Sequence, residues 1–200
     1  LFVISSPSGG GKTSLINKLF EDSRSANFKK SISDTSRQKR QGDLEGKDYY
    51  FLSEKDFKDK IKKEEYVEYA TVFGNFYGTS KEEIKTKYNN SNLILELDWQ
   101  GAYAVKELFD DAKLIFLVPP SLDDLKQRLI KRNLDSSEAI ESRLSEAKKE
   151  ISKSEMYDYL VLNDDFDKAF EDLSQILFEG ISPIDFNSRA SKDLIKRLVE

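Results

Sequence analysis

Apolar residues along this chain alternate between short continuous runs and stretches in which they recur every three or four positions. The short runs are residues 1–4, 93–95, 114–118 and 159–162. The stretches with helical spacing are residues 13–20, 102–109, 122–130, 166–177 and 192–199. Short buried strands that alternate with amphipathic helices are typical of a parallel sheet covered by helices on both faces. The pattern therefore predicts an α/β fold, in which Phe20, Leu108, Ile130 and Phe166 face the core.

Two segments depart from this alternation and indicate smaller units attached to the core. Residues 33–89 are rich in Tyr, Phe and Gly-containing turns, and within them residues 66–72 have the character of a strand. Residues 126–156 are highly charged and helical in spacing. We expect an inserted α+β subdomain at 33–89 and a helical lid at 126–156. The core then comprises residues 1–32, 90–125 and 157–200.

A glycine-rich segment joins the first strand to the first helix. Residues 6–13 read Ser-Pro-Ser-Gly-Gly-Gly-Lys-Thr. In a phosphate-binding loop, backbone N–H groups cradle phosphate oxygens, the Lys reaches the outer phosphates and the Thr hydroxyl ligates Mg²⁺. Ser6 stands where such loops usually have their first Gly, which is tolerated if its backbone does not need a positive φ. The alternative is a glycine-rich turn that happens to precede a Lys. The predicted phosphate-binding residues are Ser8, Gly9, Gly10, Gly11, Lys12, Thr13 and Ser14, which hold ATP if the family resemblance described below applies.

The composition of the chain excludes several kinds of partner, metal site and catalytic group. The net charge is −5, which argues against a nucleic-acid partner. The chain has neither Cys nor His, so thiolate metal sites and histidine general bases are excluded. No apolar stretch approaches the roughly 20 residues of a membrane span. We expect a cytoplasmic protein with no membrane partner, whose catalysis uses Arg, Lys, carboxylates, hydroxyls and metal.

A second set of polar residues indicates an anion site within the inserted segment. Arg37 and Arg40 lie three positions apart and precede Tyr49, and two guanidinium groups can clamp a phosphate through paired hydrogen bonds. An ordinary solvated basic patch is the alternative. Further on, Glu68 precedes residues 74–79, where two glycines mark tight turns. A hairpin with aromatic core residues explains that segment equally well.

Taken together, these motifs resemble the guanylate kinase family in their order along the chain. The matching stretches are residues 6–14, 33–40, 46–51, 68–79, 96–102, 119–121 and 161–165. The resemblance implies a P-loop protein with a three-layer parallel-sheet core, a small α+β GMP-binding subdomain and a helical lid. It also implies Mg²⁺-dependent transfer of the γ-phosphoryl group of ATP to GMP, and by extension to dGMP, in purine nucleotide metabolism and GMP recycling.

The resemblance assigns the acceptor nucleotide to specific positions. It implies that GMP is bound by Ser33, Arg37, Arg40, Tyr49, Glu68, Tyr77, Thr79, Glu96 and Asp98. Glu68 with the hydroxyls of Ser33 and Thr79 would read the guanine, and Arg37 and Arg40 would hold the phosphate. The family often has Asp at the position of Glu96, which leaves the contact of that longer side chain open. Asp98 would act through Mg²⁺-bound water or on the acceptor nucleotide, and Thr13 would be the direct metal ligand.

The resemblance also extends to the lid and to the donor base. It implies that catalysis rests on Lys12, Arg37, Arg40, Arg128, Arg132 and Arg143. Lys131 and Asn133 flank Arg132 where the family usually has Gly, which puts the turn of the lid in question. Asn163 matches a position beside the adenine of ATP, but it could equally be a turn residue at a strand end. For the three lid arginines the alternative is a solvated helix face.

Two other functions remain to be separated from this one. Another nucleoside monophosphate kinase would share the phosphate loop and the lid, but it would not explain Ser33, Glu68 and Thr79 together. A guanylate-kinase-like interaction module would bind phosphorylated peptides without catalysis, and such modules typically have degraded phosphate loops, whereas this chain keeps Gly11, Lys12 and Thr13. The expected partners are ATP and GMP, with a homo-oligomer left open.

Overall fold

The computed structural model describes residues 1–72, 74–89, 91–132, 136–185 and 188–200, with only the backbone of Arg132. The strands are β1 (Phe2–Ser5), β2 (Phe28–Lys30), β3 (Asp34–Thr35), β4 (Tyr50–Phe51), β5 (Tyr66–Val72), β6 (Asn75–Ser80), β7 (Asn92–Glu96), β8 (Lys113–Val118) and β9 (Tyr159–Leu162). The α-helices are α1 (Lys12–Glu21), α2 (Glu54–Lys62), α3 (Lys81–Tyr88), α4 (Trp99–Leu108), α5 (Leu122–Arg132), α6 (Ser137–Ser152), α7 (Phe166–Ser174) and α8 (Arg189–Val199).

The chain divides into two compact units. Residues 2–26 and 113–200 form one, called here the phosphate-loop unit, and residue 1 with residues 27–112 forms the other, called the Glu68 unit. Each contains parallel strand pairs and helices, so the predicted α/β class is confirmed. Within the described part of the chain, no helix is long and apolar enough to cross a membrane.

In the phosphate-loop unit, β8 pairs in parallel with β1 on one side and with β9 on the other. Its residues 114–118, the longest apolar run of the sequence, are buried. Helix α1 packs on α7, and α6 packs on both α5 and α8. Ser121 caps α5 as its sequence position suggests, since its Oγ accepts a hydrogen bond from Asp124 N at 2.9 Å. The strand β1 thus ends at Ser5, inside a buried sheet, and the phosphate loop begins with the next residue.

In the Glu68 unit, β2 pairs in parallel with β7, and a separate sheet has the strand order β4-β3-β6-β5. Strand β5 coincides with the predicted strand at 66–72 and pairs antiparallel with β6. The register of this pair shifts between Tyr66 and Glu68. Phe57 of α2 is fully buried and stacks between Tyr66 and Phe76, with ring centroids 4.6 and 5.4 Å away. This aromatic stack packs the buried side of α2 against one face of the sheet.

Four predicted core positions are instead substantially exposed. Phe20 is 36%, Ile130 46%, Phe166 42% and Leu108 61% exposed. Successive helical residues point about 100° apart, so Ile130 cannot share the direction of the buried Leu129. Leu108 is the last residue of α4, and Phe109 after it is extended, so the helical spacing assumed for residues 102–109 ends early. The apolar stripes of these helices are narrower than the sequence pattern suggested.

Candidate nucleotide site

The phosphate loop has the backbone that its glycines permit. Gly9 and Gly11 have φ values of +90° and +93°, in the left-handed region that other residues avoid. Gly10 N donates to Pro7 O at 2.8 Å, which closes the turn, and Gly11 is the N-cap of α1. Ser6, in place of the usual first Gly, is not among the positive-φ residues, and its Oγ donates to Pro7 O at 3.1 Å. The serine therefore fits this turn without backbone strain.

Asn163 braces the loop from behind. It follows β9 and is only 4% exposed. Its Nδ2 donates to Gly10 O at 2.7 Å, and its backbone N donates to Val118 O at 2.8 Å. A Cβ on Gly11 would lie 2.4 Å from Asn163 Nδ2. Between the two alternatives for Asn163, an adenine contact or a turn residue, the structure adds a third role, because the side-chain amide holds the loop carbonyl.

Two of the three predicted lid arginines contact this assembly. Arg128 of α5 donates from Nη2 to Asn163 O at 2.8 Å, and Arg143 of α6 donates from Nη1 to Ser8 Oγ at 2.5 Å. The side chain of Arg132 and the whole of Asn133, which bear on the predicted lid turn, lie outside the described residues. Helices α5 and α6 therefore both present guanidinium groups to the phosphate loop or to the residue that supports it.

A cleft of about 390 Å³ opens beside the loop. Its walls include Gly9, Gly11, Ser14, Arg128, Asn163 and Phe166. Phe166 was expected in the core, but as the first residue of α7 it presents part of its ring to this cleft. Its position directly after Asp165, which caps α7, places Phe166 at the start of the helix. A half-exposed aromatic ring beside a glycine loop can pack against a planar base.

In the Glu68 unit, the predicted guanine-reading residues lie together. Glu68 on β5 faces Thr79 on β6, and Thr79 Oγ1 lies 3.4 Å from Ser33 Oγ. Glu68 is 5% exposed, and its Oε1 has no hydrogen-bond partner within the described ranges. Burial raises the pKa of Glu68 to about 7, with a further contribution from the charge of Asp98 and opposition from hydrogen bonds of Thr79. A buried acceptor is therefore left open.

The predicted phosphate clamp is partly assembled around an acidic residue that sequence reasoning missed. Arg37 Nη2 donates to Asp43 Oδ2 at 2.8 Å, and Arg40 N donates to the same oxygen at 2.7 Å. Burial raises the pKa of Asp43, but these hydrogen bonds outweigh it and hold that pKa below its usual value. The Arg37 guanidinium carbon lies 5.4 Å from the centroid of the Tyr49 ring. The Arg40 side chain is exposed.

The two tyrosines predicted to bind the same phosphate lie in contact with each other. The rings of Tyr49 and Tyr77 meet edge to face, with centroids 5.8 Å apart. Burial raises the pKa of Tyr49, and the nearby charge of Glu96 adds to the shift, so the Tyr49 hydroxyl stays a hydrogen-bond donor at neutral pH. The carboxylate of Glu96 pairs with Lys30 Nζ at 2.7 Å. The structure thus gives Glu96, whose contact was left open, a partner on β2.

Asp98 has a structural task of its own. It follows β7 and caps α4, because its Oδ1 accepts a hydrogen bond from Gly101 N at 2.9 Å. Thr13, the other predicted metal residue, lies exposed in the first turn of α1. The described residues contain no group of three or more acidic side chains that could hold a metal ion.

Comparisons with known proteins agree on one family. The family model for guanylate kinase matches residues 1–180. A guanylate kinase from Wolbachia sp. subsp. Brugia malayi (strain TRS) is 46% identical over 179 residues, covering 88% of this chain and 91% of that protein. One from Hahella chejuensis (strain KCTC 2396) is 48% identical over 177 residues, covering 88% and 84%.

The structural comparison points the same way. The crystal structure of guanylate kinase from Anaplasma phagocytophilum matches with a TM-score of 0.74 and 32% identity, covering all of this chain and 95% of that one. The resemblance read from the motifs is thereby confirmed, and so are the fold class and the reaction type that it implied. The chain belongs to the guanylate kinase family, whose enzymes are ATP:GMP phosphotransferases.

Proposed function

We propose that this chain transfers the γ-phosphoryl group of ATP to GMP and selects GMP through Glu68. The observation that carries this assignment is the buried Glu68 oxygen without a hydrogen-bond partner in the described part of the chain, beside the hydroxyls of Thr79 and Ser33. Guanine presents two adjacent donors, N1–H and the 2-amino group, and an O6 acceptor. A carboxylate can accept from both donors, and the hydroxyls can meet O6. Adenine would offer an acceptor to the same carboxylate and leave a buried charge unpaired.

In this proposal Arg37, Arg40, Tyr49 and Tyr77 bind the phosphate of GMP. That phosphate is ionised at pH 7 and attacks as it is, so the reaction needs no general base, and a chain without His can carry it out. The link between Asp43 and Arg37 supports this assignment, since a guanidinium group held by a carboxylate at 2.8 Å is oriented before the phosphate arrives. Glu96 and Asp98 complete the proposed acceptor site.

On the donor side we propose that the loop N–H groups and Lys12 bind the ATP phosphates, with Asn163 and Arg128 keeping the loop in shape. Thr13 would hold Mg²⁺ directly and Asp98 would do so through water, and the ion would neutralise phosphate charge. Arg128, Arg132 and Arg143 would stabilise charge on the transferring group. Residues 126–156 would be the lid and residues 33–89 the GMP-binding subdomain of a core made of 1–32, 90–125 and 157–200.

The test is a panel of monophosphates with ATP and Mg²⁺. GMP should be phosphorylated far faster than AMP, CMP or UMP, with dGMP as a second acceptor, in keeping with a role in cytoplasmic purine nucleotide metabolism and GMP recycling. Equal turnover of AMP and GMP would instead indicate a broader nucleoside monophosphate kinase. Binding of a phosphorylated peptide with no turnover of any monophosphate would indicate an interaction module. Omitting Mg²⁺ should abolish turnover in all arms.

A further inference from the structure

Gly101 stands in a helix where its own conformation gives no reason for a glycine. It is the third residue of α4, and its φ lies outside the left-handed region. Glycine inside a helix is less favourable than alanine. The residue is buried, so contact with neighbouring atoms, rather than backbone freedom, must account for the missing side chain.

The space beside Gly101 is filled by the carboxylate of Glu68. A Cβ at position 101 would lie 2.8 Å from Glu68 Oε2 and 3.3 Å from Glu68 Cδ, with Leu97 Cβ at 3.2 Å. The first distance is shorter than real Cβ contacts allow, and the atom in the way is the free end of a side chain rather than backbone. An added methyl group would therefore push the carboxylate aside more easily than it would move the helix.

We propose that Gly101 is a positioning residue for guanine recognition: its missing side chain seats the Glu68 carboxylate so that Oε1 points its unused acceptor at the base. The inference rests on the role proposed above for Glu68. Gly101 also donates its N–H to Asp98 Oδ1 at 2.9 Å. Alanine keeps that N–H, so Gly101→Ala leaves the bond to Asp98 in place and acts most strongly on the Glu68 carboxylate, which is nearer to the added methyl group than Leu97 is.

The experiment is a double-mutant cycle on GMP binding, measured by calorimetry with wild type, Gly101→Ala, Glu68→Gln and the double variant. Gly101→Ala should raise the Kd of GMP about tenfold or more, the loss expected when a paired hydrogen-bond acceptor is displaced, while the KM for ATP stays unchanged. In the Glu68→Gln background the same substitution should add little, because two residues that act through one contact are not additive. Glu107→Ala, an exposed change on the same helix, should leave the Kd of GMP unchanged.

The outcomes separate the inference from the proposed function. If Glu68→Gln weakens GMP binding and Gly101→Ala does not, or if the two losses add in full, the inference is overturned and the role of Glu68 stands. If Glu68→Gln has no effect on GMP binding, the role of Glu68 fails and the inference fails with it. If Gly101→Ala does not fold, Glu68→Ala in the same chain should restore folding by removing the obstructing carboxylate, and failure of that rescue would also overturn it.

Discussion

Around the phosphate loop, polar side chains hydrogen-bond to one another and to the loop itself. Asn163 holds Gly10 O, Arg128 holds Asn163 O and Arg143 holds Ser8 Oγ. Around Glu68 the arrangement is different. A carboxylate that is 5% exposed keeps one oxygen without a partner in the described residues, and burial raises its pKa to about 7. The side chains that hold the phosphate loop are hydrogen-bonded, whereas the buried carboxylate of Glu68 is only partly so.

This contrast fits the ligands proposed for the two regions. Every nucleoside triphosphate has the same phosphates, so a loop whose shape is fixed by internal hydrogen bonds loses nothing by being preorganised. Selecting guanine among bases requires a polar group that is stable only with the right partner, and a buried unpaired acceptor provides that penalty. Substitutions in the two regions should therefore have opposite effects on the free energy of unfolding.

The largest expected effect is on catalysis at the preorganised loop. Lys12→Ala removes the charge proposed to bind the outer phosphates of ATP, and we expect kcat to fall by about 10³-fold. The melting temperature should change little, because Lys12 is a partly buried cation in the first position of α1 rather than a core residue. Lys18→Ala, on the same helix and with a half-exposed side chain, is the matched control. Near-wild-type turnover by Lys12→Ala would remove this lysine from the mechanism.

The next effect is on selectivity. Glu68→Gln replaces an acceptor-only group by an amide that turns a donor toward the guanine donors, and the KM for GMP should rise about 100-fold while the KM for ATP is unchanged. In the free enzyme at pH 8 the same substitution should raise the free energy of unfolding by about 1–3 kcal/mol, because it removes a buried charge. Steady-state kinetics checks the two KM values, and urea unfolding of the free enzyme at pH 8 checks the change in stability. A destabilised variant at pH 8 would mean that Glu68 is structural.

A smaller effect follows from pH. Below pH 7 the Glu68 carboxyl of the free enzyme takes up a proton and loses part of its capacity to accept from guanine, so the KM for GMP should rise about tenfold per pH unit. The folded-state pKa of about 7 lies above the ordinary 4.5. This group's contribution to stability is thus present in full below pH 4.5 and is lost as the pH rises through 7. Unfolding titrations of wild type and Glu68→Gln between pH 5 and 8 should converge at the acid end; parallel curves would contradict the assignment.

Sequence reasoning reached the loop, the strand at 66–72 and the grouping of Ser33, Glu68 and Thr79, because each depends on local pattern or on a recognisable motif. It did not predict the salt bridge between Asp43 and Arg37 or the one between Lys30 and Glu96. Neither ion pair can be predicted from the sequence around one of its members, because the folded chain decides which partner lies nearby. Many other charged residues in this chain could have served equally well. The exposure of Leu108 was missed because the pattern could not show where α4 ends.

The smallest expected effect tests the hydrogen bonds that hold the phosphate loop. Asn163→Ala leaves Gly10 O without its side-chain donor while Arg128 keeps its bond to the backbone oxygen of residue 163. An unsatisfied buried acceptor costs about 1–3 kcal/mol, so the variant should unfold at lower urea concentration, opposite in sign to Glu68→Gln at pH 8. The loop should loosen, and the KM for ATP should rise about threefold to tenfold with the KM for GMP unchanged.

Asp164→Ala, an exposed neighbour, should leave the free energy of unfolding unchanged. If Asn163→Ala instead stabilised the protein, the brace would be a cost to folding, and the contrast between the two regions would disappear.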